Sequence, residues 1–508
     1  MASVVLRLAA LVSLLLLVPP SSAADAPVAA AHAPGPAVDL SPGAPSTWAP
    51  SRPSHARDAL TRWNAIAIDA SGLDHTPVAP GESRVYGEQL GPGRSSRAMA
   101  IVHVAVFEAL NSIGGGYRSS LGLGPAAPGA SRDAAIAAAA HDALVALYPS
   151  QRDALDRALD AELARVDDTA GRRRGEAAGR RAAAAILAKR QGDGAEVPEP
   201  LVGIEFPTSD APGAWRQDPI SRIPLALGAY WGSVAPFVIG PVRAFRVPPP
   251  PDLTSAAYTA AFDEVLALGG DGLVTPTLRS AEQTEIGLFW AYDGTPSLCA
   301  PPRLYNQITL TIANQMGTKG VELARLLALV NVAMADAAIA VWDSKYAYAF
   351  WRPITGIREA DPGTGPTGAG DGNPDTIGDP TFSPLGAPAS NLMGPNFTPP
   401  FPSYPSGHAG FGGAVFQTLR RFYGRDRIAF TFVSDELNGV TRDNAGNVRP
   451  LRPRRFASLS QAEDENGQSR IYLGIHWAFD KTEGIAQGRR VGDAVFDHLF
   501  RPSRAGGR

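Results

Sequence analysis

The sequence predicts a mostly α protein, with long helices packed as two helical bundles and long Pro/Gly-rich loops between them. Three observations predict it. Apolar residues recur at helical spacing over long stretches, notably Arg97–Ile113, Val321–Phe350 and residues 409–423. No strand–helix alternation and no fixed-period repeat interrupts them. The intervening segments 192–253 and 361–403 are dense in Gly and Pro and long for a compact domain, as functional loops often are. At 508 residues, 44% apolar and 19% charged, the chain can bury a sizeable core. A net charge of −3 gives no global basic footprint, so neither nucleic acid nor an anionic membrane surface is an expected partner.

Taken in order, residues 1–23 read as a secretory signal. Arg7 supplies the positive start, Leu8–Val18 is an apolar run short for a bilayer span, and Ser21, Ser22 and Ala23 offer a small-residue cleavage site. A secreted protein follows as an expectation. Residues 24–55 are Ala/Pro-rich and read as a disordered leader. No later apolar run reaches transmembrane length by this reading, so stable membrane insertion is not expected. The single cysteine, Cys299, excludes an intrachain disulfide and reads as a structural thiol.

Residues 56–250 form the expected N-terminal helical half. A helix over about 56–70 is followed by Arg97–Ile113, apolar nearly all round and stopped by Gly114, Gly115 and Gly116. His103 within it reads as a satisfied core histidine. Ser131–Leu147 is Ala-rich and ends before Pro149. From Gln151 to about Gln191, Arg172–Arg174, Arg180 and Arg181 interleave with acids such as Asp168 and Glu176, which marks a solvated face. The Pro run ending at Pro251 marks the boundary to the second half, residues 251–508. Helices resume at about 255–268, 280–291, 303–316 and 321–350, and the last long ones are 409–423 and 476–499. Residues 443–452 carry turn residues suited to a short hairpin.

Three stretches in the second half carry chemistry. In the first, Lys345 and Arg352 stand seven residues apart, two helical turns, before Pro353 and beside Trp342. Two cations on one face of an apolar, aromatic helix ask for an anion. The second is Pro405-Ser406-Gly407-His408 ahead of an apolar helix. Ser406 and Gly407 fall at its N-terminus, where free N–H groups and the helix dipole favour an anion, and His408 can move a proton. The third is Ser469-Arg470 followed by His476 and Asp480. Arg470 is a bidentate oxyanion donor, and a carboxylate at i+4 can fix the tautomer of His476 for service as ligand or nucleophile. Together the set suits a phosphate-shaped anion bound to a histidine.

Lys-x6-Arg-Pro, Pro-Ser-Gly-His and Ser-Arg-x5-His-x3-Asp, in this order, resemble the vanadium-dependent haloperoxidase and type 2 phosphatidic acid phosphatase superfamily. Phe289–Gly294, Pro301–Gln307, Phe350–Pro353 and Gly412–Gln417 are similar to the vanadium chloroperoxidase branch. The resemblance implies vanadate as cofactor, its oxygens held by Lys345, Arg352, Ser406, Gly407 and Arg470 and its metal ligated by His476. It implies that His408 is the acid/base, that Asp293 places Arg470, and that Asp480 stands behind His476. Lys345 would polarise bound peroxide, and Trp342 and Phe411 would line the halide pocket. The implied activity is peroxide-driven oxidation of bromide or chloride to hypohalous acid, which can halogenate small organic molecules. Two other readings use the same groups: an acid phosphatase with His476 as nucleophile and His408 as general acid, and a non-catalytic oxyanion-binding protein.

Overall fold

The computed structural model describes residues 58–293, 298–387, 398–442 and 447–503. The expected signal and leader lie outside the described residues. Thirteen α-helices and one two-stranded hairpin make up the regular structure among those residues.

The first five helices are α1 (Ala59–Asp74), α2 (Gly91–Gly114), α3 (Arg132–Leu147), α4 (Arg152–Leu163) and α5 (Thr169–Lys189). Their starts follow local chemistry: Asp58, Ser131 and Asp168 accept backbone N–H bonds as N-caps of α1, α3 and α5. His103 on α2 is buried, with the Met99 carbonyl and Asn64 Oδ1 each 2.8 Å from a ring nitrogen. Cys299 is also buried, its sulfur 2.9 Å from Ser71 Oγ. After α6 (Ala256–Leu268), α7 (Ala281–Phe289) and α8 (Pro302–Gln315) comes α9, Gly320–Tyr348, the axis of the molecule. It packs on α2, and on α11 (Gly407–Tyr423) and α13 (Ala478–His498) from the far end of the chain. One continuous apolar core therefore joins helices from both sides of residue 250. By length and composition α9 could cross a membrane, but 94% of its most apolar window is buried inside the protein. Among the described residues, transmembrane length is thus reached once, by a core helix.

The Pro/Gly-rich segment before α6 is pinned to that axis. Asp336, fully buried on α9, accepts the backbone N–H groups of Phe237, Val238 and Ile239 at 2.7–2.9 Å. Satisfying three donors at once offsets much of the cost of burying a carboxylate.

Three expected local structures differ. Helix α9 stops at Tyr348, where Ala349 closes it in the left-handed region (φ 44°), so Arg352 is not on its face. Arg352 instead caps the next short helix, α10 (Pro353–Arg358), and Pro353 begins that helix, a position where its missing N–H costs nothing. His476 precedes α13, which starts at Ala478 with Trp477 as N-cap and Asp480 in its first turn. Arg470 sits in the last turn of α12 (Leu459–Tyr472), a helix with no apolar stripe. The hairpin pairs β1 (Phe430–Asn438) with β2 (Leu451–Phe456), antiparallel, Phe430 opposite Phe456.

Helices α11 and α13 cross closely because both present glycine. A Cβ on Gly484 would stand 2.8 Å from the Ser406 carbonyl, and one on Gly488 would strike the Gly410 carbonyl. This contact sets the His476–Asp480 turn under the start of α11. Gly488→Ala should therefore lower stability by about 1–3 kcal/mol, the usual cost of overpacking. A thermal melt unchanged from wild type would refute the close crossing.

Candidate functional site

The structure brings Lys345, Arg352, Ser406, Gly407, His408, Arg470, His476 and Asp480 into one buried chamber; the seven with side-chain polar groups are each at most 6% exposed. Ser406 is the N-cap of α11 and accepts the Ala409 N–H, so the first turn of that helix opens on the chamber. Its own N–H donates to the Asp480 carbonyl at 3.0 Å, which ties the N-terminus of α11 to the first turn of α13. Gly407 keeps that turn open: a Cβ there would lie 3.3 Å from the Trp342 ring.

The cations are aimed by backbone carbonyls. Lys345 Nζ donates to Pro402 O and Ser403 O at 2.7 and 2.8 Å, leaving one of its three N–H groups over. Arg352 donates from Nε to Phe401 O and from Nη1 to Ile475 O, each at 2.9 Å. Arg470 holds both oxygens of Asp293 through Nη2, at 2.7 and 2.8 Å. What remains is informative. Arg352 Nη2, Arg470 Nε and Arg470 Nη1 are buried donors without a partner. Orphaned charged donors are costly, and three in one chamber mark the place of an absent acceptor.

His476 stands among them. Its Nδ1 lies 2.6 Å from Asp480 Oδ2 and its Nε2 lies 3.0 Å from Arg352 Nη1. With the proton on Nδ1 and donated to the carboxylate, Nε2 is a lone-pair acceptor facing a cation. Burial first, then the charges of Arg352, Lys345 and Arg470, keep the ring neutral, well below the usual histidine range. His408 is held neutral for a similar reason, burial and then Arg470, and its Nε2 lies 2.7 Å from the Ala291 carbonyl. Lys345 is pushed well down by burial and by Arg352, and Arg352 down to about 9 by burial, with Arg470 adding to the push. An oxyanion held among these cations would relieve their mutual repulsion. Its donor set is cationic and hydroxylic around one imidazole acceptor, which fits a tetrahedral oxyanion attached to His476 Nε2.

The aromatic wall holds one ring beyond the two expected. Trp342 is present, its Nε1 donating to Leu227 O at 3.1 Å. The ring against the cations is Phe401, not singled out from sequence: it lies 5.1 Å from Lys345 Nζ, 4.9 Å from the Arg352 guanidinium and 5.0 Å from Trp342. Phe411 packs between Trp342 and Tyr305, with centroids 6.4 Å from each. Sequence reasoning also passed over Ser403, which bonds Asp480. It passed over Tyr305 and Asn466 too, which both donate to the His408 carbonyl at 2.9 Å. Serine and phenylalanine in the run leading into Tyr404-Pro405-Ser406 were the available signal for two of these.

Vanadium chloroperoxidase of Curvularia inaequalis is 32% identical over 495 aligned residues, covering 82% of this chain and 78% of that protein. The chain belongs to the vanadium haloperoxidase family. The family model of the VCPO second helical-bundle domain matches residues 325–504, the part that carries Lys345 through His476. Vanadium haloperoxidases of known structure share the fold. The first bacterial vanadium-dependent iodoperoxidase superposes with a TM-score of 0.69 at 23% identity, covering 88% of this chain and 97% of that one. A holo-type bacterial vanadium-dependent chloroperoxidase gives 0.61 at 17% identity, with 83% and 95% covered.

One consequence follows from the orphaned donors alone. Orthovanadate or phosphate should raise the melting temperature of the anion-free protein, since a ligand at a hundred times its Kd adds about 2.7 kcal/mol to the native state. A melt indifferent to both anions would show that the chamber takes neither.

Proposed function

We propose that this protein is a vanadate-dependent haloperoxidase that uses hydrogen peroxide to oxidise halide, bromide and chloride included, to hypohalous acid. The observation that carries the reading is the set of three unpartnered guanidinium donors on Arg352 and Arg470, both buried beside His476. Vanadate is the cofactor, and when bound it supplies Lewis acidity at constant oxidation state. Lys345, Arg352, Ser406, Gly407 and Arg470 would hold its oxygens, and His476 would ligate it through Nε2. Asp293 aims Arg470, and Asp480 fixes the His476 tautomer.

His408 handles the proton. With its Nε2–H engaged by the Ala291 carbonyl, Nδ1 would be the nitrogen that takes a proton from peroxide and gives it back. Lys345 would offer its remaining N–H to peroxide held in the chamber, drawing electron density from it. Trp342 and Phe401, with Phe411 behind them, give the halide a dry aromatic pocket. Small organic molecules are then halogenated by the released hypohalous acid.

The test is reconstitution. Protein stripped of vanadate and phosphate is given orthovanadate and assayed for peroxide-dependent halogenation of a dione dye with iodide, bromide and chloride, with p-nitrophenyl phosphate hydrolysis in parallel without vanadate. Halogenation that appears only with vanadate supports the proposal, and turnover with chloride supports the wider halide range. Phosphate-ester cleavage that vanadate inhibits, with no halogenation, would move the assignment to a phosphatase.

A further inference from the structure

Ser403 is fully buried and joins three parts of the chamber: α9, the turn that follows it, and the start of α13. Its N–H donates to the Phe350 carbonyl at 2.9 Å, two residues before Arg352. Its carbonyl accepts Lys345 Nζ at 2.8 Å. Its hydroxyl donates to Asp480 Oδ2 in a short hydrogen bond and lies 3.4 Å from His476 Nδ1. Asp480 Oδ2 thereby receives three donors: Ser403 Oγ, His476 Nδ1 at 2.6 Å and the Trp477 N–H at 3.1 Å. Asp480 Oδ1 has no partner at all. A carboxylate bound through a single oxygen can swing about its own axis, and only the donors on that oxygen resist the swing.

We propose, on the vanadate-binding reading above, that Ser403 is a positioning residue for the vanadate ligand. Its hydroxyl locks Asp480 Oδ2 in the plane of the His476 ring, so that Nδ1 keeps the proton and Nε2 keeps its lone pair toward the anion. The Trp477 N–H alone does not do this, because it belongs to the same turn as Asp480 and moves with it. Ser403 comes from the opposite wall, and its backbone is already clamped by Phe350 and Lys345. Its hydroxyl therefore fixes Asp480 relative to the cations that grip the rest of the anion. Hydrogen-bond partners one step behind a metal-ligating histidine are commonly worth 10–100-fold in affinity.

Ser403→Ala isolates the hydroxyl, since both backbone bonds remain. Two readouts are taken on the full-length protein with Ser403→Ala, Ser403→Cys and, as control, His476→Ala. One is the orthovanadate dissociation constant by titration calorimetry. The other is the imidazole ¹⁵N signature of His476 without vanadate, assigned by its loss in His476→Ala. The expected results are affinity about 10-fold weaker in Ser403→Ala, an intermediate value in Ser403→Cys, whose thiol is a weaker donor, and a shift of His476 from a single Nδ1–H tautomer towards a mixture. Vanadate affinity within twofold of wild type together with an unchanged ¹⁵N pattern overturns the proposal. Wild-type protein that binds no vanadate overturns the cofactor reading instead, and the ¹⁵N pattern of Ser403→Ala still decides the positioning role. A melting curve for each variant separates loss of fold from loss of orientation.

Discussion

His476→Ala should abolish vanadate-dependent halogenation, with a fall of at least roughly 10³-fold, more than the ~10²–10³ lost with one oxyanion donor. The imidazole is a neutral acceptor set between cationic donors, with Arg352 Nη1 pointing at Nε2 and Asp480 holding Nδ1. No nearby group replaces it, because Lys345, Arg352 and Arg470 can only donate. The fold should survive, since Asp480 Oδ2 keeps the Ser403 hydroxyl and the Trp477 N–H. The check is halogenation at saturating orthovanadate beside circular dichroism and a melting curve. Retention of a tenth of wild-type turnover by a folded variant would remove His476 from the ligand role, and with it the proposed geometry of the site.

How far this site could be read beforehand differs residue by residue. Helices α2, α9 and α11 declare themselves because their runs of small and apolar residues are buried on nearly every side. Helix α12 does not. It buries Glu463, Asn466, Ser469 and Arg470, so its inward face reads as polar and the periodicity that betrays a helix is missing. The motifs nonetheless converge on one chamber, because each places its charged residue near a helix end or turn. The local geometry behind them is different from the helical spacing. Lys345 and Arg352 converge through a left-handed turn at Ala349 rather than along one face. His476 meets Asp480 across the cap of α13 rather than within it. Phe401 and Ser403 escape notice because a proline-rich run has no period to interpret. Tyr305 and Asn466 reach the His408 carbonyl from 103 and 58 residues away, a juxtaposition made by packing of α8 and α12 against α11.

Asp293→Ala should cost both stability and turnover, and vanadate should give part of each back. Arg470 is 1% exposed in its side chain, and Asp293, at 7%, binds its Nη2 with both oxygens. Burial pushes the Asp293 carboxyl upward while Arg470 pulls it down, so the ion pair persists only because each charge answers the other. Removing one partner of such a pair leaves an uncompensated buried charge, a loss of about 3–5 kcal/mol. Arg470 then has three nitrogens without an acceptor instead of two, in a chamber already crowded with Lys345 and Arg352. A bound oxyanion supplies the missing negative charge, so the melting-temperature gain on adding orthovanadate should be larger in the variant than in wild type. Turnover should still fall by about 10²-fold even when vanadate is saturating, because Arg470 has lost the carboxylate that aims it. Asp293→Asn, which keeps one acceptor oxygen, should lie between the two. A double-mutant cycle with Arg470→Gln reads the coupling directly: if the two substitutions add in both stability and turnover, Asp293 acts on the site by some route other than Arg470.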